Sequence, residues 1–191
     1  MEKSVYLDEQ ILKKRENRLK EIYSTLKSGV YIQGCILTFN REVIHDLFSM
    51  MIPKSFDIMP ENYAKVKYTS EFRPQYLLTS ADLTVNLGFN VFPDHLTTTD
   101  MKQVVERVKQ TLQNGPNATK FKEAMTIKEL DGYYFDFRQH VMDSDIYQMM
   151  AFFRINQQLH QFSFNCLYSR FSDWKPIALQ MLESIEYEKK G

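Results

Sequence analysis

The feature that most constrains this fold is a period of two in the apolar residues of the C-terminal half. "KFKEAMTIKEL" (120–130) turns through Asp131-Gly132 into "YYFDFRQHVM", where Tyr133, Phe135, Phe137 and Val141 alternate with polar residues. Asp143-Ser144-Asp145 leads into "IYQMMAFFRI", and Asn156-Gln157-Gln158 leads into "LHQFSFNCLY", with Phe162, Phe164 and Cys166 at alternate positions. Side chains alternate across a strand, so four such runs joined by short polar turns predict an antiparallel meander. Met149-Met150 and Phe152-Phe153 are adjacent apolar pairs and must face opposite sides. That strand is therefore covered on both faces: by helices on one, and by the N-terminal helix or a partner on the other.

The rest of the chain frames this meander. Residues 8–28 carry Ile11, Leu12, Leu19, Ile22, Tyr23 and Leu26 at helical spacing, and Gly29 marks the predicted end of the helix. The domain organisation expected is an N-terminal helical appendage, 1–28, and one domain, 29–191. "VYIQGCILTF" and "LFSMMIP" (47–53) read as strands joined by "NREVIHD", and "AKVKY" (64–68) as a short strand or a helical turn. "QYLLTS" (75–80) and "LTVNLGFNVF" (83–92) form the next pair, turning at "ADL". Residues 97–117 predict a helix with Thr98 or Thr99 as cap, Asp100 at its positive end, and Met101, Val104, Val105, Val108 and Leu112 as its stripe. The final segment predicts another, capped by Ser172 with Pro176 in its first turn, burying Trp174, Ile177, Ala178, Met181, Leu182 and Ile185. Strands grouped and helices set apart imply an α+β fold, an antiparallel sheet of about six or seven strands covered by helices.

Bulk composition removes several functions. Lys plus Arg and Asp plus Glu number 24 each, so no net field draws the chain to nucleic acid or to an anionic membrane. No apolar run reaches the ~18 residues that a membrane helix needs. Cys35 and Cys166 both sit in strand-like runs and read as buried reduced thiols; with no leader pattern after Met1, the expected compartment is the cytoplasm.

Few residues suggest chemistry. His45-Asp46 reads as a turn rather than an acid–base pair, because adjacent residues do not face each other. His140 and His160 fall in neighbouring candidate strands but lack the further ligands a metal site needs. No nucleotide-binding, phosphate-loop or nucleophile-elbow motif occurs, so neither cofactor nor metal is expected. In "KYTSEFRPQYLLTS" (67–80), Pro74 suits the start of a strand and Glu71 and Arg73 share a face if extended, which favours a structural joint with a local ion pair over a substrate loop. The methionine runs "FSMM" and "YQMM" read as core filling before adaptable contact surface.

"MTIKELDGYYFDFRQHVMDSDIYQMMAFFRINQQLHQFSFNCLYSRFSDWKPIALQMLESIE" resembles the closing half of the PsbP/Mog/DcrB-like superfamily. The carriers are the "DG" hairpin, the F-x-F-x-C strand and the helix with Trp174, Ile177, Met181, Ser184 and Ile185. "FSMMIPKSFDIMP" is similar to the family's early strand and turn, so the likeness spans about 45–187. It implies a helix–sheet–helix sandwich and, for most relatives, no catalysis: members bind other proteins, as photosystem subunits, Ran-binding proteins or chaperones of secreted effectors. The expectation is thus a non-enzymatic, bacterial protein-binding module contacting its partner through Glu71, Phe72, Arg73, Met149 and Phe153, with possible oligomerisation through the N-terminal helix. The alternative is a small-molecule-binding protein or small hydrolase with a site near residues 45–75, built on His45, Glu71 or Arg73.

Overall fold

The computed structural model of the protein describes residues 2–68, 73–92, 100–114, 121, 123–141 and 144–188, with side chains from residue 8 onward. Three long strands dominate it: β10 (Asp131–Val141), β11 (Ser144–Ile155) and β12 (Gln158–Leu167). Their register is continuous, with Tyr133 opposite Phe152 and Phe152 opposite Gln161. The β11–β12 turn holds Asn156 and Gln157 at φ 49° and 68°, the left-handed pair that a tight hairpin matched to strand twist requires. β12 then pairs with β8 (Val85–Val91), β8 with β7 (Tyr76–Thr79), and β7 with β6 (Asp57–Ile58). With β9 (Met125–Thr126) beyond β10, the order is β6-β7-β8-β12-β11-β10-β9, antiparallel throughout.

Each face of this sheet has its own cover. On the first, Leu87, Phe89, Met149, Phe153, Phe162 and Phe164 are buried against α4 (Phe171–Glu183) and against the hairpin of β4 (Phe39–Ile44) and β5 (Phe48–Pro53). Trp174, Ile177, Ala178, Met181 and Leu182 supply the stripe of α4, as their 3–4 spacing predicts. Each such side chain removed from water contributes roughly 1.5–3 kcal/mol, so this face holds most of the apolar stabilisation. On the second, Met101 and Val105 of α3 (Met101–Gln113) pack on Phe135, Phe137, Phe152 and Leu159. At the opposite edge, Ala64 of α2 (Glu61–Lys67) packs with Met59, Leu77 and Tyr68. The two-sided pattern of β11 is thus satisfied within the chain: α4 on one side, α3 on the other.

Several local expectations are corrected. α1 (Glu2–Ile22) stops before Gly29, because the chain turns back as β1 (Ser24–Thr25) against β2 (Gly29–Ile32). Leu26 and Ile32 are buried in the main core, whereas Ile11, Leu12 and Ile22 are exposed. "VYIQGCILTF" is two strands of a hairpin, β2 and β3 (Cys35–Leu37), because Gln33 and Gly34 take positive φ. "NREVIHD" is mostly β4; only His45 and Asp46, at φ 51° and 54°, make the turn. Asp131-Gly132 begin β10 rather than turning, and Ser144, Asp145 and Gln158 likewise lie within strands. Asp100 itself caps α3, its carboxylate accepting from the Lys102 amide at 2.9 Å, while Thr98 and Thr99 lie outside the described residues. Ser172 does not cap α4: a 3-10 turn, Tyr168–Arg170, delivers the chain into the helix, so Pro176 falls in the second turn, on an exposed position. Cys166 is buried and free, but Cys35 is exposed. No described helix is long and apolar enough to cross a membrane.

Candidate functional site

Among the described residues, α2 and α3 cover the two ends of the second face and leave its middle bare. There the sheet forms the floor of an open groove of about 590 Å³. Register dictates what that floor presents. Asn86, Asn165 and Gln148 stand abreast on β8, β12 and β11; two residues along come Gly88, Ser163 and Met150; two further come Asn90 and Gln161. The floor therefore consists chiefly of amides and hydroxyls, on the very strands whose opposite faces carry Leu87, Phe89, Phe162 and Phe164.

The floor is cross-linked by its own hydrogen bonds. Thr79 Oγ1 donates to Asn86 Oδ1 at 2.7 Å, Asn86 Nδ2 to Asn165 Oδ1 at 2.7 Å, and Asn165 Nδ2 to the Tyr68 hydroxyl at 2.8 Å. Farther along, the Gln75 amide donates to Asn90 Oδ1 and Asn90 Nδ2 donates to Gln161 Oε1. Buried amides tolerate burial only when bonded, so this relay holds the floor in one arrangement. Pro74 lies over Gly88: a Cβ there would sit 2.6 Å from Pro74 Cγ and 2.5 Å from Ser163 Oγ. Glycine is thus what lets the segment leading into β7 settle on the sheet.

Among the described residues, three that are charged line the groove: Lys67, Arg73 and Asp82. Burial would raise the Asp82 carboxyl, but hydrogen bonds from Ser80, from Thr84 and from Arg170 outweigh it and hold the pKa well below the usual carboxylate range. Lys67 donates Nζ to the Leu83 carbonyl, and burial lowers its pKa despite the opposing pull of Asp82. Leu83 sits at φ 59°, a left-handed conformation uncommon for such a side chain and often found where a site is held under constraint. Burial also raises the Tyr68 hydroxyl, against the bond from Asn165.

The structure sorts the sequence-based candidates. Arg73 lines the groove; Glu71 and Phe72, and with them the expected Glu71–Arg73 pair, lie outside the described residues. Met149 and Phe153 are fully buried beneath α4 and the β4–β5 hairpin, so neither forms a contact surface; Met150, the neighbour facing the other way, does line the groove. Met50 is likewise core. His45 packs its ring edge-on to Tyr76, whose side chain belongs to the first face, so His45 and Arg73 do not converge. His140 is exposed and paired with Asp145, whereas His160 is buried two strands away between Phe48 and Phe153. Among the described residues, no group of three or more His, Cys, Asp or Glu is placed to hold a metal ion.

The floor amides escaped the sequence reading, although a signal was present. The polar positions of "LTVNLGFNVF" and "LHQFSFNCLY" carry Asn and Gln, where a solvated strand face more often carries charge and Thr.

No protein-family model matches the sequence, and no curated protein is significantly similar to it. Among solved structures, the cyanobacterial PsbP (CyanoP) of Synechocystis sp. PCC 6803 superposes with a TM-score of 0.58 at 16% identity, over 84% of this chain and 98% of that one. The fold is PsbP/Mog-like. A mutant form of Mog1 matches with a TM-score of 0.52 at 10% identity, covering 81% of this chain and 98% of its own. LpqN of Mycobacterium tuberculosis, described as involved in cell envelope biogenesis, matches at 0.50 and 12% identity over 85% and 96%. At such identities the PsbP/Mog-like likeness is one of fold, and function has to be argued from the groove.

Proposed function

We propose that this PsbP/Mog-like chain is a non-catalytic binding module that holds a segment of another protein in the groove between α2 and α3. The observation that carries this reading is the floor itself. Amide side chains both donate and accept, and they are spaced by the strand repeat, about 7 Å for every second residue. An extended peptide offers alternating carbonyls and amides that such a floor matches. Met150, Ile146 and Leu167 add apolar contact. The protein-binding role that the family resemblance implies agrees with this, and the free thiols of Cys35 and Cys166 agree with action in a bacterial cytoplasm. A volume of about 590 Å³ also falls in the ~300–1,000 Å³ range of small-ligand pockets, which favours a small polar ligand as the second reading.

Photo-crosslinking side chains placed at Gln148 and Gln161, and at Glu42 on the other side of the molecule, separate these readings. Protein adducts formed in the native cell from the two groove positions and not from Glu42 support the module. Adducts from Glu42 alone, or none from the groove, refute it; native mass spectrometry of the purified protein then reveals a retained small ligand.

A further inference from the structure

We propose that the groove selects a segment carrying a single carboxylate, an Asp or Glu side chain received by Arg73 and Tyr68. This rests on the reading of the groove as a segment-binding site and adds the chemistry of its occupant.

The argument is a balance of donors and acceptors. Of the charged residues that line the groove among those described, Asp82 has its carboxylate bonded to Ser80, Thr84 and Arg170, and Lys67 gives one N–H to the Leu83 carbonyl and faces the Asp82 charge. Arg73 makes no ion pair among the described residues, although the Glu61 carboxylate feels its charge, and a guanidinium carries five N–H donors with no acceptor. The relay through the floor ends in the same sense. Tyr68 accepts from Asn165, so the proton of its hydroxyl remains to be given, and Gln161 accepts from Asn90 through its carbonyl, so its NH₂ remains to be given. Around Arg73 and Tyr68 the groove thus presents donors, and it asks there for an acceptor.

Placement brings these donors into one reach. Tyr68 bonds to Asn165, and Pro74 is seated on Gly88 and Ser163. Ser163 and Asn165 are two residues apart on one strand face, about 7 Å. Arg73, adjacent to Pro74, therefore stands within a side chain's length of the Tyr68 hydroxyl. The planar guanidinium of Arg73 suits a carboxylate, which it can bind through two parallel N–H donors, so the observations favour a carboxylate-bearing segment.

The test is selection from a random heptapeptide display library on the full chain, followed by measurement of the selected peptide's affinity by fluorescence polarisation. The expected result is enrichment of Asp or Glu at one peptide position, lost when selection is repeated on Arg73→Gln. Replacing that acidic residue by its amide weakens binding to the wild type by about tenfold or more, and causes no further loss on Arg73→Gln, because both changes delete one charge-assisted contact. Tyr68→Phe weakens binding by several-fold, whereas Arg107→Gln, on α3 outside the groove, leaves it unchanged. Thermal melting of each variant confirms that it is folded. Selected peptides with no acidic preference, or an affinity unmoved by Arg73→Gln, overturn this inference while leaving the segment-binding reading standing. Failure to select any peptide on the folded protein overturns both.

Discussion

His160 makes the sharpest physical prediction. Its ring lies between Phe48 and Phe153, at centroid distances of 5.5 and 5.7 Å, and the residue is 1% exposed. Neither ring nitrogen has a hydrogen-bond partner among the described residues. Burial first, and the nearby His45 second, lower its pKa from 6.5 to about 4. The folded protein therefore excludes a proton that the unfolded chain takes up below pH 6.5. Stability is complete above that value and is lost as pH falls through 4. The difference between the two states reaches about 1.4 kcal/mol at pH 5.5 and about 2.5 kcal/mol at pH 4.5. His160→Leu removes the titration and two unpartnered nitrogens while keeping a buried apolar side chain. Urea denaturation of both proteins at pH 7.5, 5.5 and 4.5 is expected to show the variant gaining on the wild type by those amounts. A difference that stays constant within 0.5 kcal/mol over this range would refute the assignment of the proton to His160.

Three further perturbations follow from packing. Asp136 is buried, receives the Tyr147 hydroxyl at 2.9 Å and is ion-paired with Lys175; Lys175→Met strands its carboxylate and is expected to cost about 3 kcal/mol in urea denaturation at pH 7, and a loss under 0.5 kcal/mol would contradict the buried pair. A Cβ at Gly132 would lie 2.5 Å from the Phe152 carbonyl oxygen and 2.6 Å from Phe153 Cβ, so Gly132→Ala should lower stability by about 2 kcal/mol or more, read as a drop in melting temperature. Removal of residues 1–22 takes away α1, whose side chains from residue 8 onward are mostly exposed, and the remaining chain is expected to keep its far-UV spectrum and melting temperature within a few degrees. Light scattering of the two forms shows whether α1 also holds a second copy, which a common monomeric mass would exclude.

The long strands, the stripes of α3 and α4 and the PsbP/Mog-like architecture were legible because their signals are local. Tyr133, Phe135 and Phe137 alternate within one run, and Trp174, Ile177, Ala178 and Met181 recur at helical spacing. Turn placement was less legible. Gln33-Gly34 closes a hairpin within what reads as one continuous strand, whereas His45-Asp46, read as a turn, does turn, at positive φ that Asp and His tolerate better than most residues. Met149 and Phe153 were misplaced for a related reason: alternation separates Met149 from Met150, but says nothing of which of the two faces a helix will cover.

By itself, the sequence determined that strands 131–167 form a meander, that two amphipathic helices pack on it, and that Phe162, Phe164 and Cys166 share one face. These follow from the geometry of one strand or one helix. The groove was decided by tertiary structure alone. It exists because β8 pairs with β12 across more than 70 residues of chain, bringing Asn86 beside Asn165, and because α2 and α3 stop short of each other on the same face. Pro74 against Gly88 then places Arg73 beside that floor. Contacts between residues so far apart in the chain depend on which surfaces are left after the core has packed, and no period in the sequence encodes that remainder.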